Sequence, residues 1–260
     1  MKIKILTLFP KMFEGFLSES IIKRAIDKKV VDIEIIDMRL YSLNKHHHVD
    51  DTPCGGGAGM VLACDVVDRA IKANGLNSYK LLMTPQGIPY NQKIALDLAK
   101  KDELLLICGH YEGFDERIRD YVDQELSIGD YVLTGGELPS MIIADSVIRL
   151  LDNAIKEESY EGDSFMDGLL EYPQYTRPVE YNGKRVPDVL LSGNHALINR
   201  FRRKESLRRT MERRPDLIKK ANLSKEDLKL IEEIREETKW EHQEYCFIYL
   251  RYHQNMVLEH

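Results

Sequence analysis

The residues best suited to hold a ligand stand in four short strings. They are Pro53-Cys54-Gly55-Gly56-Gly57-Ala58-Gly59-Met60, Thr84-Pro85-Gln86-Gly87, Cys108-Gly109-His110-Tyr111-Glu112-Gly113 and Ser127-Ile128-Gly129-Asp130-Tyr131-Val132-Leu133-Thr134-Gly135-Gly136-Glu137. Glycine has no Cβ, so its backbone comes close to a ligand and presents N–H groups to it. The second and third strings directly follow apolar runs that read as strands, and ligands of open α/β sheets sit at the carboxyl ends of strands. The last three strings together can surround a flat adenine with backbone N–H and C=O groups. The Gly-Lys-Ser/Thr ending of a phosphate loop is missing, and no G-x-G-x-x-G spacing occurs, which counts against a dinucleotide fold. The first string reads equally as a flexible turn.

Two further places carry groups for proton transfer or base contact. One is Asp163-Ser164-Phe165-Met166-Asp167-Gly168, preceded by Arg149; its ordinary reading is a helix cap for Asp163 and a surface ion pair for Arg149. The other is Tyr175-Thr176-Arg177-Pro178, where an aromatic ring and a guanidinium stack on bases or bind phosphate, or simply pack a turn. His46, His47 and His48, with Asp50 and Asp51, read as a polar loop over a site. Adjacent loop residues rarely converge on one ion, so no metal site is assigned. Cys54, Cys64, Cys108 and Cys246 form no C-x-x-C pair and no zinc spacing; scattered thiols fit a reduced, cytosolic setting.

The elements that must position these groups alternate. Strands are predicted over Ile3–Phe9, Val31–Met38, Lys80–Thr84 and Leu104–Cys108. Helices are predicted from Pro10 through Ile22, over Asp65–Ala73 and Gln92–Lys100, and from Pro139 to about Ile155. Residues 41–59 read as a polar loop. This alternation predicts a mostly parallel sheet covered on both faces. Prolines at 173, 178 and 187 mark an irregular connection to a second region.

That second region is basic. From Asn199 to Lys220 there are ten Lys/Arg against three Asp/Glu. On a helical wheel Leu197, Phe201, Leu207 and Met211 share one face, with Arg202, Arg203, Arg209, Arg213 and Arg214 opposite. Ser224-Lys225-Glu226-Asp227 has the S-x-x-D pattern that opens a helix, with Leu228, Ile231 and Ile234 on its inner side. The whole chain of 260 residues has a net charge of −6, 43% apolar and 31% charged residues. That balance argues against nonspecific nucleic-acid binding by the whole surface but not against a local basic patch. No stretch approaches the roughly 20 apolar residues of a membrane span. The first apolar run is too short for a signal peptide, and Leu258-Glu259-His260 reads as a tag remnant.

Taken in order, the strings resemble one family, the bacterial tRNA (guanine-N1)-methyltransferases of the TrmD type and SPOUT class. The resemblance is carried by Leu8-Phe9-Pro10-Lys11-Met12-Phe13, Val49-Asp50-Asp51, Gly55-Gly56-Gly57 with Gly59-Met60, and Thr84-Pro85-Gln86-Gly87. It continues in Tyr111-Glu112-Gly113-Phe114-Asp115-Glu116-Arg117, Ser127 to Leu133, Gly135-Gly136-Glu137-Leu138-Pro139, Asp163-Ser164-Phe165 and Tyr175-Thr176-Arg177-Pro178. It covers nearly the whole chain. Cys54 and Ala58 depart from the aromatic and the proline expected there, and His110 from an arginine.

The resemblance implies an α/β fold, a mostly parallel sheet tied in a deep trefoil knot, plus a small C-terminal helical domain. Residues 1–158 would form the knot domain, 159–178 the linker and 179–257 the tRNA-binding domain. It implies S-adenosylmethionine as methyl donor, held by Pro85, Gln86, Gly87, Gly109, Tyr111, Glu112, Gly113, Ser127, Ile128, Gly129, Asp130, Tyr131, Val132, Leu133, Gly135 and Gly136. The implied substrate is the guanosine at position 37 of tRNA, after a preceding guanosine, with magnesium supporting the reaction. A cytoplasmic homodimer with active sites shared between subunits is also implied. Asp163 is expected as the base, Arg149 as the group that stabilises charge, and Glu112 as a residue that orients donor or base. Arg177, Arg200, Arg202, Arg203, Arg208, Arg209, Arg213 and Arg214 are expected to hold tRNA phosphates. The competing readings are an RNA-binding protein without catalysis, a phosphotransferase, and a SPOUT methyltransferase with another target atom. The second would need a phosphate-binding lysine or a carboxylate cluster, and neither stands in the sequence.

Overall fold

In the computed structural model, which describes residues 1–155 and 162–238, the chain divides into two compact units, Met1–Glu157 and Glu158–His260. The tag remnant, Cys246 and the expected boundary near residue 158 lie outside the described residues.

The first unit is built on five strands: β1 (Lys2–Thr7), β2 (Asp32–Asp37), β5 (Tyr79–Pro89), β6 (Glu103–Ile107) and β7 (Gln124–Ser127). Their order is β2-β1-β6-β5-β7, and every pairing is parallel. Side chains alternate across the sheet. Ile3 and Ile5 of β1, Leu104 and Leu106 of β6, and Leu81 and Met83 of β5 enter one core. Leu6, Leu105, Ile107 and Leu82 enter the other. Both faces are therefore apolar, as a parallel sheet between helices requires. Three helices contribute to the first core: α2 (Ser20–Asp27), α4 (Gln92–Leu98) and α5 (Glu137–Ile148). The second core is closed by α3 (Cys64–Asn74) through Val66, Val67, Ala70 and Ile71.

Four local expectations differ from the structure. The helix expected from Pro10 is a 3-10 turn (Pro10–Phe13), then α1 (Glu14–Ser18) and α2, broken where Ser20 takes a φ of 57°. The loop expected at 41–59 contains β3 (Asp50–Asp51), paired antiparallel with β4 (Val61–Leu62). Thr84-Pro85-Gln86-Gly87 is an irregularity inside β5 rather than a loop after it: the register with β7 shifts between Met83 and Ile88. Helix α5 ends at Ile148, so Arg149 is its C-cap.

The second unit holds a β8 (Glu180–Tyr181) and β9 (Lys184–Arg185) hairpin, α6 (Asp188–Leu191), α7 (His195–Arg213), α8 (Pro215–Ile218) and α9 (Lys225–Thr238). Its core joins Leu207 and Met211 of α7, Ile218, Leu223, and Leu230, Ile231 and Ile234 of α9. Leu169 belongs to the same core at 1% exposure. Part of the segment expected as a connection is thus core of this unit. The buried face of α7 is also rotated from the expected wheel: Leu197 is 51% exposed, while Ser206 and Thr210 point inward. The reason is backbone satisfaction. The Leu170 N–H donates to Thr210 Oγ1 at 2.9 Å, and Ser206 Oγ donates to the Leu170 carbonyl at 2.6 Å, so these hydroxyls replace water for an inner segment.

The S-x-x-D cap forms as the sequence predicts. Asp227 N–H donates to Ser224 Oγ at 3.1 Å, and Ser224 N–H donates to Asp227 Oδ2 at 2.9 Å. Arg203 Nε also donates to Asp227 at 2.6 Å. Burial alone would raise the Asp227 carboxyl, but the Arg203 and Ser224 hydrogen bonds outweigh it and hold it below the usual range. A depressed carboxylate contributes stability that is fully present above its unfolded value, about 3.9, and is lost as pH falls through the folded value. Asp227→Asn is therefore expected to lower the thermal midpoint at neutral pH and to lose it less steeply than wild type below about pH 4. Parallel acid profiles for the two proteins in scanning calorimetry would show that this cap carries no linkage.

Candidate active site

At the carboxyl end of the sheet lies a cavity of about 360 Å³. Its walls come from the irregularity in β5, the segment after β6 and the long loop between β7 and α5. Of the residues expected to hold a donor, Pro85, Gln86, Gly109, Tyr111, Glu112, Gly113, Ser127, Ile128, Gly129, Tyr131, Val132, Leu133, Gly135 and Gly136 line it. Gly87 and Asp130 do not. A Cβ on Gly87 would stand 2.5 Å from Leu126 N, so this glycine lets β5 lie against β7; Asp130 is exposed.

The loops are held together by backbone contacts that only glycine permits. Gly136 N–H donates to the Gly109 carbonyl at 2.8 Å, and His110 bridges to Gly135. A Cβ on Gly136 would sit 2.7 Å from Cys108 Cα and 2.8 Å from Gly109 N. The Pro53–Met60 string joins the site at one point. Gly59, at φ +82°, packs on the Glu112 side chain, where a Cβ would meet Oε1 at 2.5 Å, and Glu112 N–H donates to the Met60 carbonyl at 2.9 Å. Gly55 and Gly56 face open space.

Several lining residues were not legible as motifs. Arg119, in a 3-10 turn over Glu116–Tyr121, donates to Gln86 Oε1 at 2.6 Å and to Glu116 at 2.8 Å, and pairs with Glu125. The Glu116-x-x-Arg119 spacing was its only sequence signal. His110, inside the Cys108–Gly113 string read from the sequence, lines the cavity too, with its ring 4.7 Å from Phe9 and 4.9 Å from Tyr111, and its buried Nδ1 has no hydrogen-bond partner among the described residues. Beneath the floor, Glu137 is 2% exposed and accepts from Thr7 Oγ1 at 2.7 Å. Cys108 is fully buried, and burial, then the Glu137 carboxylate, pushes its thiol far up. It stays protonated at neutral pH and is no nucleophile.

The proton-transfer candidates belong to different units. Arg149 is the half-buried C-cap of α5, its N–H donating to the Asp145 carbonyl at 3.1 Å. Asp163, in the second unit, lines a separate cavity of about 290 Å³ with Asp167, Tyr172, Asn199, Arg202, Arg203 and Ser206. Among the described residues, no group of three or more His, Cys, Asp or Glu side chains converges on a metal position, and no helix is long and apolar enough to cross a membrane.

The arginines expected to meet RNA are placed unequally. Arg200 pairs with Glu233, Arg203 with Asp227 and Asp167, Arg208 with Glu205 and Glu237, and Arg214 with Asp216. Arg202 stacks on Tyr172, and Arg209 reaches the Glu171 carbonyl at 3.4 Å. Arg177 and Arg213 are exposed.

A family model described as tRNA (Guanine-1)-methyltransferase TrmD matches residues 1–220. The chain belongs to this family. Among its relatives, a protein of Mycoplasmopsis agalactiae is 56% identical over 227 residues, covering 86% of this chain and all of that one. One of Bacillus licheniformis is 56% identical over 239 residues, 90% of this chain and 98% of its own. One of Fusobacterium nucleatum is 55% identical over 238 residues, 91% and 99%. All three bear the name tRNA (guanine-N(1)-)-methyltransferase.

The glycine contacts are open to a direct test. Gly136→Ala forces a Cβ onto immovable backbone and is expected to cost about 1–3 kcal/mol, read as a lowered thermal midpoint. Gly15→Ala, in α1 with nothing within 4 Å, is expected to leave the midpoint unchanged or raise it slightly. Equal midpoints for the two variants would show that the loops yield at Gly136.

Proposed function

We propose that this chain transfers a methyl group from S-adenosylmethionine to N1 of a guanosine in tRNA, at position 37 beside the anticodon. The observation that carries the reading is family membership over residues 1–220, with relatives of the same name matched along nearly their whole length. The first unit fits the donor. Its cavity of about 360 Å³ lies within the roughly 300–1,000 Å³ of small-molecule sites. Glycine backbone forms its edges, and the Glu112 carboxylate beside it suits a cationic sulfonium. Pro85, Gln86, Gly87, Gly109, Tyr111, Gly113, Ser127 to Leu133, Gly135 and Gly136 would hold or shape the donor pocket. Bound there, S-adenosylmethionine supplies an electrophilic methyl group.

The chain's own residues supply the rest. Guanine N1 carries a proton at neutral pH and is no nucleophile until that proton leaves. Asp163 takes it, a contribution of roughly 10²–10⁴-fold. Negative charge then spreads to O6, where the Arg149 guanidinium stabilises it. Glu112, braced by Gly59, orients donor or base.

The finer parts of the reading are proposed with it. The return of the chain from β7 to the Gly109 carbonyl supports a SPOUT trefoil knot in residues 1–158, followed by a linker over 159–178 and a tRNA-binding domain over 179–257. A cytoplasmic homodimer would build each active site from Arg149 of one subunit and Asp163 of the other. A guanosine precedes the target, and magnesium supports the reaction, with no residue of this chain assigned to hold it.

Transfer of labelled methyl from S-adenosylmethionine is the direct test, with tRNA bearing guanosine 37 beside the same tRNA bearing adenosine 37. Label in the guanosine tRNA alone, recovered as N1-methylguanosine, is expected. Label on ribose or on another base atom would move the chain to a different target within its class. Asp163→Asn is expected to lower turnover by at least about 100-fold and to leave donor affinity nearly unchanged; loss of donor binding instead would make Asp163 structural.

A further inference from the structure

By sequence Arg202, Arg203, Arg209, Arg213 and Arg214 share one basic face; in the structure the cations of α7 differ in their ion pairing. Lys204 donates to Glu233 at 2.9 Å and Glu237 at 2.8 Å and is 13% exposed. Arg208 donates to Glu205 at 3.0 Å and Glu237 at 2.7 Å, and Arg200 pairs with Glu233. These charges are neutralised by carboxylates of α9 and of α7 itself. Arg202, Arg209 and Arg213 have no carboxylate partner among the described residues. They stand at i, i+7 and i+11, within about 40° of one another at 3.6 residues per turn and over about 16 Å of helix.

This row runs beside the inner segment that begins at Leu169. Arg209 reaches the Glu171 carbonyl, and the Arg202 guanidinium lies 4.9 Å from the Tyr172 ring centre. Arg202 Nε is buried without a hydrogen-bond partner among the described residues, and the same side chain lines the cavity that contains Asp163. A buried charged donor left unmet costs free energy that a bound acceptor restores. Guanidinium forks match phosphate oxygens two at a time, and a row of them suits a chain of phosphates.

We infer that Arg202, Arg209 and Arg213 hold the RNA backbone beside the target nucleotide, while Arg200, Lys204 and Arg208 bind α7 to α9 and make no contact with RNA. The inference rests on the tRNA reading above and narrows its contacts on α7 to three residues. Arg200, Lys204 and Arg208 are taken up by carboxylates of α9 and α7, Arg203 by Asp227 and Asp167, and Arg214 by Asp216.

The test is equilibrium binding of the full chain to an unmodified tRNA transcript over a range of salt concentrations. Each of Arg202→Ala, Arg209→Ala and Arg213→Ala is expected to reduce the slope of log affinity against log salt by about 0.7–0.9. The corresponding lysine variants should keep the slope. Lys204→Met removes the same formal charge and should leave the slope unaltered. Lys229→Met, at an exposed side chain of α9, gives the same comparison if Lys204→Met does not fold. The inference is overturned if either methionine variant flattens the slope as much as the arginine variants do. It is also overturned if wild type binds and none of the three arginines matters. A wild-type chain that binds no tRNA would instead overturn the tRNA reading itself.

Discussion

The site depends on one contact between two stretches of backbone, the return of the chain after β7 onto the end of β6. Gly136 N–H meets the Gly109 carbonyl at 2.8 Å with Cys108 Cα directly behind it, and any side chain at Gly136 would prevent the approach. From that contact the rest follows in order. The β7–α5 loop is drawn over the β6 loop, which closes the cavity. Helix α5 begins immediately afterwards, so Glu137 is directed into the sheet, where Thr7 of β1 donates to it. Thr7 Oγ1 also accepts from Phe9 N–H at 2.9 Å, and Phe9 packs on His110 at the cavity wall. A buried carboxylate is costly unless hydrogen-bonded, and here that hydrogen bond ties the first strand to the start of α5. The position of Arg149 at the far end of α5 is thereby fixed by the same glycine.

Regular elements were legible because their signals are local. Alternating apolar runs marked β1, β6 and the first half of β5, and helical spacing marked α3 and α4. The Ser224–Asp227 cap was legible for the same reason, since all its partners lie within one turn. What was not legible depended on distant residues. The continuation of β5 through Thr84-Pro85-Gln86-Gly87 follows from pairing with β7, and nothing in that string announces its partner. The inward turn of Ser206 and Thr210 answers to the backbone of Leu170, some forty residues earlier in the chain. A wheel drawn on hydrophobicity alone therefore put Leu197 in the core.

The candidate donor loops were readable as glycine-rich strings at strand ends, but the job of each glycine was not. Gly136 and Gly87 serve backbone approach, Gly59 accommodates Glu112, and a side chain at Gly55 or Gly56 would meet nothing. Arg119 escaped notice because its importance is purely spatial: it joins Gln86, Glu116 and Glu125 from a turn with no motif of its own.

Charge distribution links the two units' chemistry to the composition of the whole. A chain of net charge −6 repels a polyanion at long range, and screening reduces that repulsion to the last 8 Å or so at physiological salt. Within that distance only uncompensated cations matter. Carboxylates of α9 pair with Arg200, Arg203, Lys204 and Arg208 of α7, which leaves Arg202, Arg209 and Arg213 of that helix without a carboxylate partner among the described residues, and Arg202 lines the cavity that contains Asp163. Such an arrangement favours one register of a bound strand over sliding contact with any RNA, because few phosphates can be satisfied unless the strand lies along that row. On the proposed RNA reading, the same ion pairs that hold α7 to α9 withhold cations that would bind RNA in other registers.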